Sequence, residues 1–196
     1  VTSHLETDLE FQSLLPEENV AFLVDGRIGD GAGTGSFELG VGQNAEAFEA
    51  TAHRTWENSI TETFSVSYDK FANATEFILG GDTLSYSPAL LFVEIFVRGV
   101  AVNENTSVTV DELYLGGEEV GDSCLAEGTD GLDILRISGP NLLDGFVFTG
   151  EVTMTWSGEA PTNDDLLFQV HVGSPDPLVA TEKKTWGWVK NRFRAK

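Results

Sequence analysis

Apolar residues recur at every second position through most of the chain. Phe37, Leu39 and Val41 alternate with small or polar partners. Ile60, Glu62, Phe64, Val66 and Tyr68 share one face of a strand, and Thr61, Thr63, Ser65 and Ser67 the other. Phe77 and Leu79, the pair Gly80-Gly81, then Leu84 and Tyr86 predict a hairpin over 75–86. Leu90 to Val97 is a continuous apolar run, which predicts a strand buried on both faces. Val108 and Val110 lead to Leu113 and Leu115, and 132–137 is a further strand. Phe146 and Phe148 mark one strand, Val152, Met154 and Trp156 a following one. Phe168, Val170 and Val172 close the series, with Gln169 and His171 on the opposite, wet face.

Roughly ten strands at 8–12-residue spacing predict an all-β fold, an antiparallel β-sandwich of jelly-roll type. The expected division is an N-terminal arm over 1–20, a sandwich domain over 21–173, a linker over 174–182 and a C-terminal tail over 183–196. Leu5 to Leu15 fits either a short helix or a strand. Pro175 and Pro177 break regular structure in the linker. The pair Leu142-Leu143 after Pro140 reads as a turn.

Charge changes this picture at one end. Residues 1–181 hold five basic and 31 acidic side chains, net −26, whereas 182–196 hold six basic and one acidic, net +5. Lys183, Lys184, Lys190, Arg192, Arg194 and Lys196 surround Trp186, Trp188 and Phe193. As a helix the tail would align Trp186, Val189 and Phe193; as a strand it would put Trp186, Trp188, Lys190, Arg192 and Arg194 on one face. A basic aromatic tail on an acidic body suits an acidic partner, and another copy of the chain offers one. Lys183, Lys184, Trp186, Trp188, Lys190, Arg192, Phe193 and Arg194 are therefore the candidate contact residues. An anionic lipid surface is a further candidate partner, since basic and aromatic residues act together there. The acidic body argues against nucleic-acid binding, which needs Lys and Arg on phosphates.

Candidate chemistry is sparse. His4, His53 and His171 share no metal-type spacing and read as surface or strand-face residues. Cys124, the single cysteine, has no basic neighbour to activate it and excludes an intrachain disulfide. The glycine run 29–35 matches neither a dinucleotide fingerprint nor a phosphate loop and reads as a turn. Acids that could offer oxygens to calcium are Asp25 with Asp30, Glu118 and Glu119 with Asp122, Asp130 with Asp133, and Asn163 with Asp164 and Asp165. None fits a D-x-D-x-D-G loop, so calcium is a possible cofactor and no other is expected. Trp56 and Trp156 are either core residues or platforms for surface polysaccharide. No catalytic set emerges, and the expectation is a protein that is not an enzyme.

No stretch approaches the apolar length of a membrane span. The chain opens at Val1 without a leader and reads as a processed, secreted product. Asn73-Ala74-Thr75 and Asn105-Thr106-Ser107 match the N-glycosylation pattern.

Three stretches of text carry a resemblance. They are Ala21 to Asp30 followed by Gly33-Thr34-Gly35 and Phe37 to Gly40; Gly131 to Gly139 with Asn141 to Phe146; and Phe168 to Gly173. Together they resemble choice-of-anchor W domains over about residues 10–173. The resemblance implies an exported bacterial or archaeal domain, often cyanobacterial, joined to varied C-terminal surface anchors, with no activity or catalytic residues to carry over. The chain departs from that pattern after Pro177, where a basic aromatic tail stands in place of an apolar anchor. The expectation is an extracellular or cell-surface structural protein that self-assembles into filaments or other polymers through its terminal extensions. A carbohydrate-binding or adhesion module is the alternative.

Overall fold

A computed structural model describes residues 1–28, 38–44, 48–139, 141–161 and 165–175. Residues 183–196, and with them every contact residue expected in the tail, lie outside the described residues, as do Phe37, Asp30 and the glycine run 29–35.

The elements are β1 (Thr2–Leu5), α1 (Asp8–Leu14), a 3-10 turn (Glu17–Asn19), β2 (Val20–Arg27), β3 (Leu39–Gly42), β4 (Ala50–Ala52) and β5 (Thr61–Asp69). The chain continues through β6 (Ala74–Leu79), β7 (Asp82–Tyr86), β8 (Glu94–Ala101), β9 (Thr106–Leu115) and β10 (Glu118–Glu119). It ends with β11 (Cys124–Glu127), β12 (Gly131–Ile137), β13 (Phe146–Trp156) and β14 (Leu166–Gly173). Two seven-stranded antiparallel sheets form an all-β sandwich. Sheet A has the order β1-β12-β8-β14-β2-β3-β4; sheet B has β10-β9-β13-β5-β6-β7, with β11 also on β9. The central strands β8, β14 and β2 come from distant parts of the sequence, as in a jelly roll.

Alternation explains the core. Phe22, Val24, Val97, Phe168 and Val170 of sheet A face Phe64, Val66, Phe77, Val110 and Phe148 of sheet B. Phe168 sits at the centre, with ring centroids 5.6 Å from Phe64 and 6.4 Å from both Phe77 and Trp56. Trp56 is buried, and its Nε1 donates to the Arg27 carbonyl at 2.8 Å. It is a core residue with its one polar atom satisfied.

A second apolar cluster lies on the far side of sheet A. Phe11, Leu14 and Leu15 of the N-terminal arm meet Val20, Leu23, Phe96 and Ile134 there. The arm is thus part of the body: β1 pairs with β12 in register Thr2↔Ile137 to Leu5↔Ile134, and α1 roofs the sheet. Thr7 caps the helix by accepting from the Glu10 N–H at 3.1 Å. The helical alternative for 5–15 holds over 8–14.

Two other expectations shift. The strand expected over 90–97 begins at Glu94 and runs to Ala101, while Leu91 is 75% exposed. The two strands expected over 146–156 are one, because Gly150 continues β13. A Cβ at Gly150 would lie 2.6 Å from Leu113 and 2.8 Å from Phe64, so only glycine leaves room for the side chains of the two flanking strands of the same sheet. Beyond the end of β14 at Gly173, Ser174 donates from its N–H to Asn19 O at 3.1 Å and from its hydroxyl to Leu91 O at 3.0 Å. Among the described residues, no helix is long and apolar enough to cross a membrane.

Candidate functional site

Sheet A carries a row of polar side chains beneath the helical roof. Register places Asp25, Gln169 and Arg98 side by side across β2, β14 and β8. Asp25 is fully buried. Its Oδ1 accepts from Arg27 Nε at 2.6 Å and its Oδ2 from Arg27 Nη2 at 2.7 Å and Gln169 Nε2 at 2.6 Å. Gln169 Oε1 in turn accepts from Arg98 Nη1 at 3.0 Å, and Arg98 grips Asp8 of α1 through two bonds of 2.9–3.0 Å. The roof is therefore clamped by a charge as well as by Phe11.

Of the calcium reading at Asp25 and Asp30, the structure describes Asp25 alone. Both Asp25 oxygens are engaged by a guanidinium and an amide, an arrangement that already neutralises the carboxylate and works against a cation. Asp30 lies outside the described residues.

His171, expected on a wet face, is buried. Its Nε2 donates to Gln169 Oε1 at 3.0 Å, and Phe11 packs edge-on against the ring at 5.0 Å between centroids. Burial, helped by the charge of Arg98 and opposed by Asp8, pushes its pKa down to about 3. The imidazole is neutral, its Nδ1 keeps the lone pair, and that atom is buried with no hydrogen-bond partner.

Next to His171 the roof stops short. A groove of about 490 Å³ opens between α1, the 3-10 turn and the start of β2. Phe11, Leu15, Val20 and Leu23 make its walls, Gln12 and Glu17 stand on one rim, and Gln43 and Asn44 on the other. The body's last described residues lie beside it, since Gly173 abuts Leu15 and Val20.

Sheet B has an open outer face of hydroxyls: Thr61, Thr63, Ser65 and Ser67 on β5, and Thr149, Thr153 and Thr155 on β13. A hollow of about 510 Å³ lies over Gly80, Gly81 and Gly150, edged by Tyr114, Glu112 and Glu151. A bulge shapes it, for pairing of β9 with β13 slips between Thr149 and Glu151, and Glu112 takes φ 46°. Glu112 lies 3.3 Å from the Tyr114 hydroxyl, and its charge, with lesser help from Glu119 and Glu151, raises the tyrosine's pKa.

Asn163 and Asp164, of another candidate calcium group, lie outside the described residues. Asp122 and Asp133, from two different candidate calcium groups, meet on His4: Nδ1 is 2.6 Å from Asp133 and Nε2 3.2 Å from Asp122. The bond to Asp133 raises the His4 pKa despite partial burial, and Asp122 adds to it. His53 pairs with the buried Glu38 at 3.1 Å. Among the described residues, no group of three or more His, Cys, Asp or Glu is arranged to hold a metal ion. Cys124 is buried, and desolvation pushes its thiol up to about 12, so it behaves as a small apolar residue. Asn73 and Asn105 occupy exposed turns at φ 47° and 59°, which asparagine tolerates. The Asn73 amide donates to Pro88 O at 3.1 Å.

Sequence reasoning missed the Asp25–Gln169–Arg98–Asp8 row and the burial of His171. The available signal was the apolar face of 5–15, which needs a surface to cover. No protein-family model matches the chain, and no curated protein matches it either.

Proposed function

We propose that this protein is a non-catalytic structural protein of the cell surface or extracellular space, and that copies assemble through the C-terminal tail. The observation that carries the reading is the charge division: net −26 in residues 1–181 against +5 in 182–196, with Trp186, Trp188 and Phe193 among the bases. A tail seated on the body of the next copy is a heterologous contact, which closes into rings or propagates as filaments. Trp and Arg are the side chains in which binding energy concentrates. The N-terminal arm contributes its acidic surface, since β1 and α1 are engaged within their own body. The similarity to choice-of-anchor W domains supports an exported setting and rests on the motif text alone.

The test is light scattering with negative-stain imaging of the full chain at low and high salt. Rings or filaments are expected at low salt, shrinking as salt screens the charges. The Trp186→Ala, Trp188→Ala double variant should stay folded and monomeric. A wild-type chain that stays monomeric at every concentration and salt overturns the reading.

The hollow on sheet B favours a second reading, carbohydrate binding. A half-exposed Tyr114 ring beside two carboxylates and a field of hydroxyls offers stacking and hydrogen-bond acceptors to a sugar. A glycan array screened with and without chelator tests it. Binding that Tyr114→Ala abolishes would support the reading; silence across a broad array would remove it.

A further inference from the structure

We infer that the groove between α1, the 3-10 turn and β2 is the receiving site for the chain's own basic aromatic segment, residues 182–196. The inference rests on the tail-mediated reading above and gives that contact its place on the body.

Four observations converge on it. The walls are apolar, from Phe11, Leu15, Val20 and Leu23, and the volume of about 490 Å³ is within the range of true binding sites. The rim carries the carboxylate of Glu17, with Glu18 next to it in the chain, and residues 6–19 also hold Glu6, Asp8 and Glu10 and no basic residue. Asp8 is used by Arg98, but the exposed carboxylates of Glu17 and Glu18 make no hydrogen bond or ion pair among the described residues. The last described residues also lie here, with Ser174 bonded to Asn19 and Gly173 against Leu15. Trp186 follows Pro175 by eleven residues, which span at most about 36–40 Å when extended. The segment can therefore return to this groove, or enter that of a neighbouring copy.

The fourth observation concerns hydrogen bonding. His171 lines the groove and has a buried Nδ1 acceptor without a partner. That atom has almost no accessible surface, so a donor meets it only as the His171 ring or its neighbours yield; an indole N–H, which donates and accepts nothing, is then its complement. An apolar ring with one donor, flanked by Lys and Arg, matches apolar walls, one orphan acceptor and a rim carboxylate. Among the chain's sequences only 182–196 combines these features. A helical tail would present Trp186, Val189 and Phe193 as a stripe, the form in which helices enter grooves.

The experiment keeps the full chain. The receptor is the Trp186→Ala, Trp188→Ala variant, whose own tail lacks its anchors, and the probe is a labelled synthetic peptide of residues 182–196. Fluorescence anisotropy should show saturable binding at low salt. Adding Glu17→Lys at the rim should weaken it about tenfold, a gap that narrows as salt rises. Adding Glu151→Lys on sheet B makes the same charge change on the other face and should leave binding unchanged. Circular dichroism confirms that each variant is folded, since both positions are solvent-accessible. Absence of peptide binding overturns the inference. So does equal weakening by the two lysine variants, which would mean general attraction between opposite charges. Failure of assembly is separate: a wild-type chain that stays monomeric while the peptide still binds this groove sinks polymerisation and keeps the contact, as a tail folded back on its own body. Polymers that persist with Glu17→Lys would do the reverse.

Discussion

The outer faces of the two sheets follow the same alternation and end in opposite states. On sheet B the outward residues include a field of Thr and Ser hydroxyls, open to water or bonded to one another as Thr61 is to Thr153. On sheet A they include Asp25, Arg98, Gln169 and His171, and a seven-residue helix has closed over them. Hydroxyls facing water need no specific partner. Charges under a roof need every partner in place, because an unpaired buried polar group costs far more than a made bond returns. Sheet A should therefore be intolerant of single polar changes, and sheet B tolerant.

The strongest break in this comparison comes from removing one member of a buried pair. Asp25→Ala takes from the largely buried Arg27 guanidinium and the Gln169 amide the carboxylate to which both donate, and should cost about 3–5 kcal/mol. Thr63→Ala on sheet B should change stability by less than about 0.5 kcal/mol. Urea unfolding of the two variants decides the matter; equal losses would mean that the row on sheet A is no more committed than the open face. The joint change Asp25→Leu, Arg27→Met should recover much of the loss, since it removes the two opposite buried charges together.

A smaller effect separates the faces by pH. His171 stays neutral in the folded protein down to about 3, whereas in the unfolded chain it takes up a proton near 6.5. Between those values the unfolded state binds the extra proton, so stability falls as pH falls from 6.5 toward 3, by an amount on the order of a few kcal/mol. His171→Phe keeps a ring against Phe11 and removes the titration. The variant should show a flatter acid limb than wild type in denaturation midpoints taken across that window. Parallel curves would show that His171 does not titrate against folding.

The sandwich was legible because its signal is local. Strand β5, the β6–β7 hairpin and strand β14 follow from period-two spacing alone. Where the reading slipped, a long-range partner overrode the local pattern. Leu90 and Leu91 look like the start of a strand, but pairing begins at Glu94, held by Arg136 through bonds of 2.6 and 2.8 Å. Arg98 looks like a strand's end and is its interior, because Asp8, ninety residues earlier, neutralises it. Gly150 looks like a break and is a close approach. For the functional surfaces, the charge of the tail was plain in the sequence. The groove was not, since its walls come from α1, the 3-10 turn and two strands, and its acceptor is a histidine whose burial no nearby residue announces.

The smallest effect has the opposite sign and lies at the edge of sheet A, where His4 of β1 touches Asp122 and Asp133 of sequence-distant segments. These carboxylates favour the protonated ring, so its folded pKa stands above 6.5. The stabilisation is fully present below 6.5 and is lost as pH rises through the folded value. His4 is 41% exposed on its side chain, and solvent screens the pair, so the gain should stay below about 1 kcal/mol. His4→Gln should then be less stable than wild type at pH 6 and indistinguishable from it at pH 9. Hydrogen exchange at the β1–β12 amides reads the change where it acts, because β1 is the edge strand and opens without the core. A β1 that opens equally at both pH values would mean that the pairing and Phe11 hold the arm by themselves. A β1 that loosens as the ring deprotonates would mean that the two histidines of sheet A act against each other, one tightening the arm in acid while the other weakens the body beneath it.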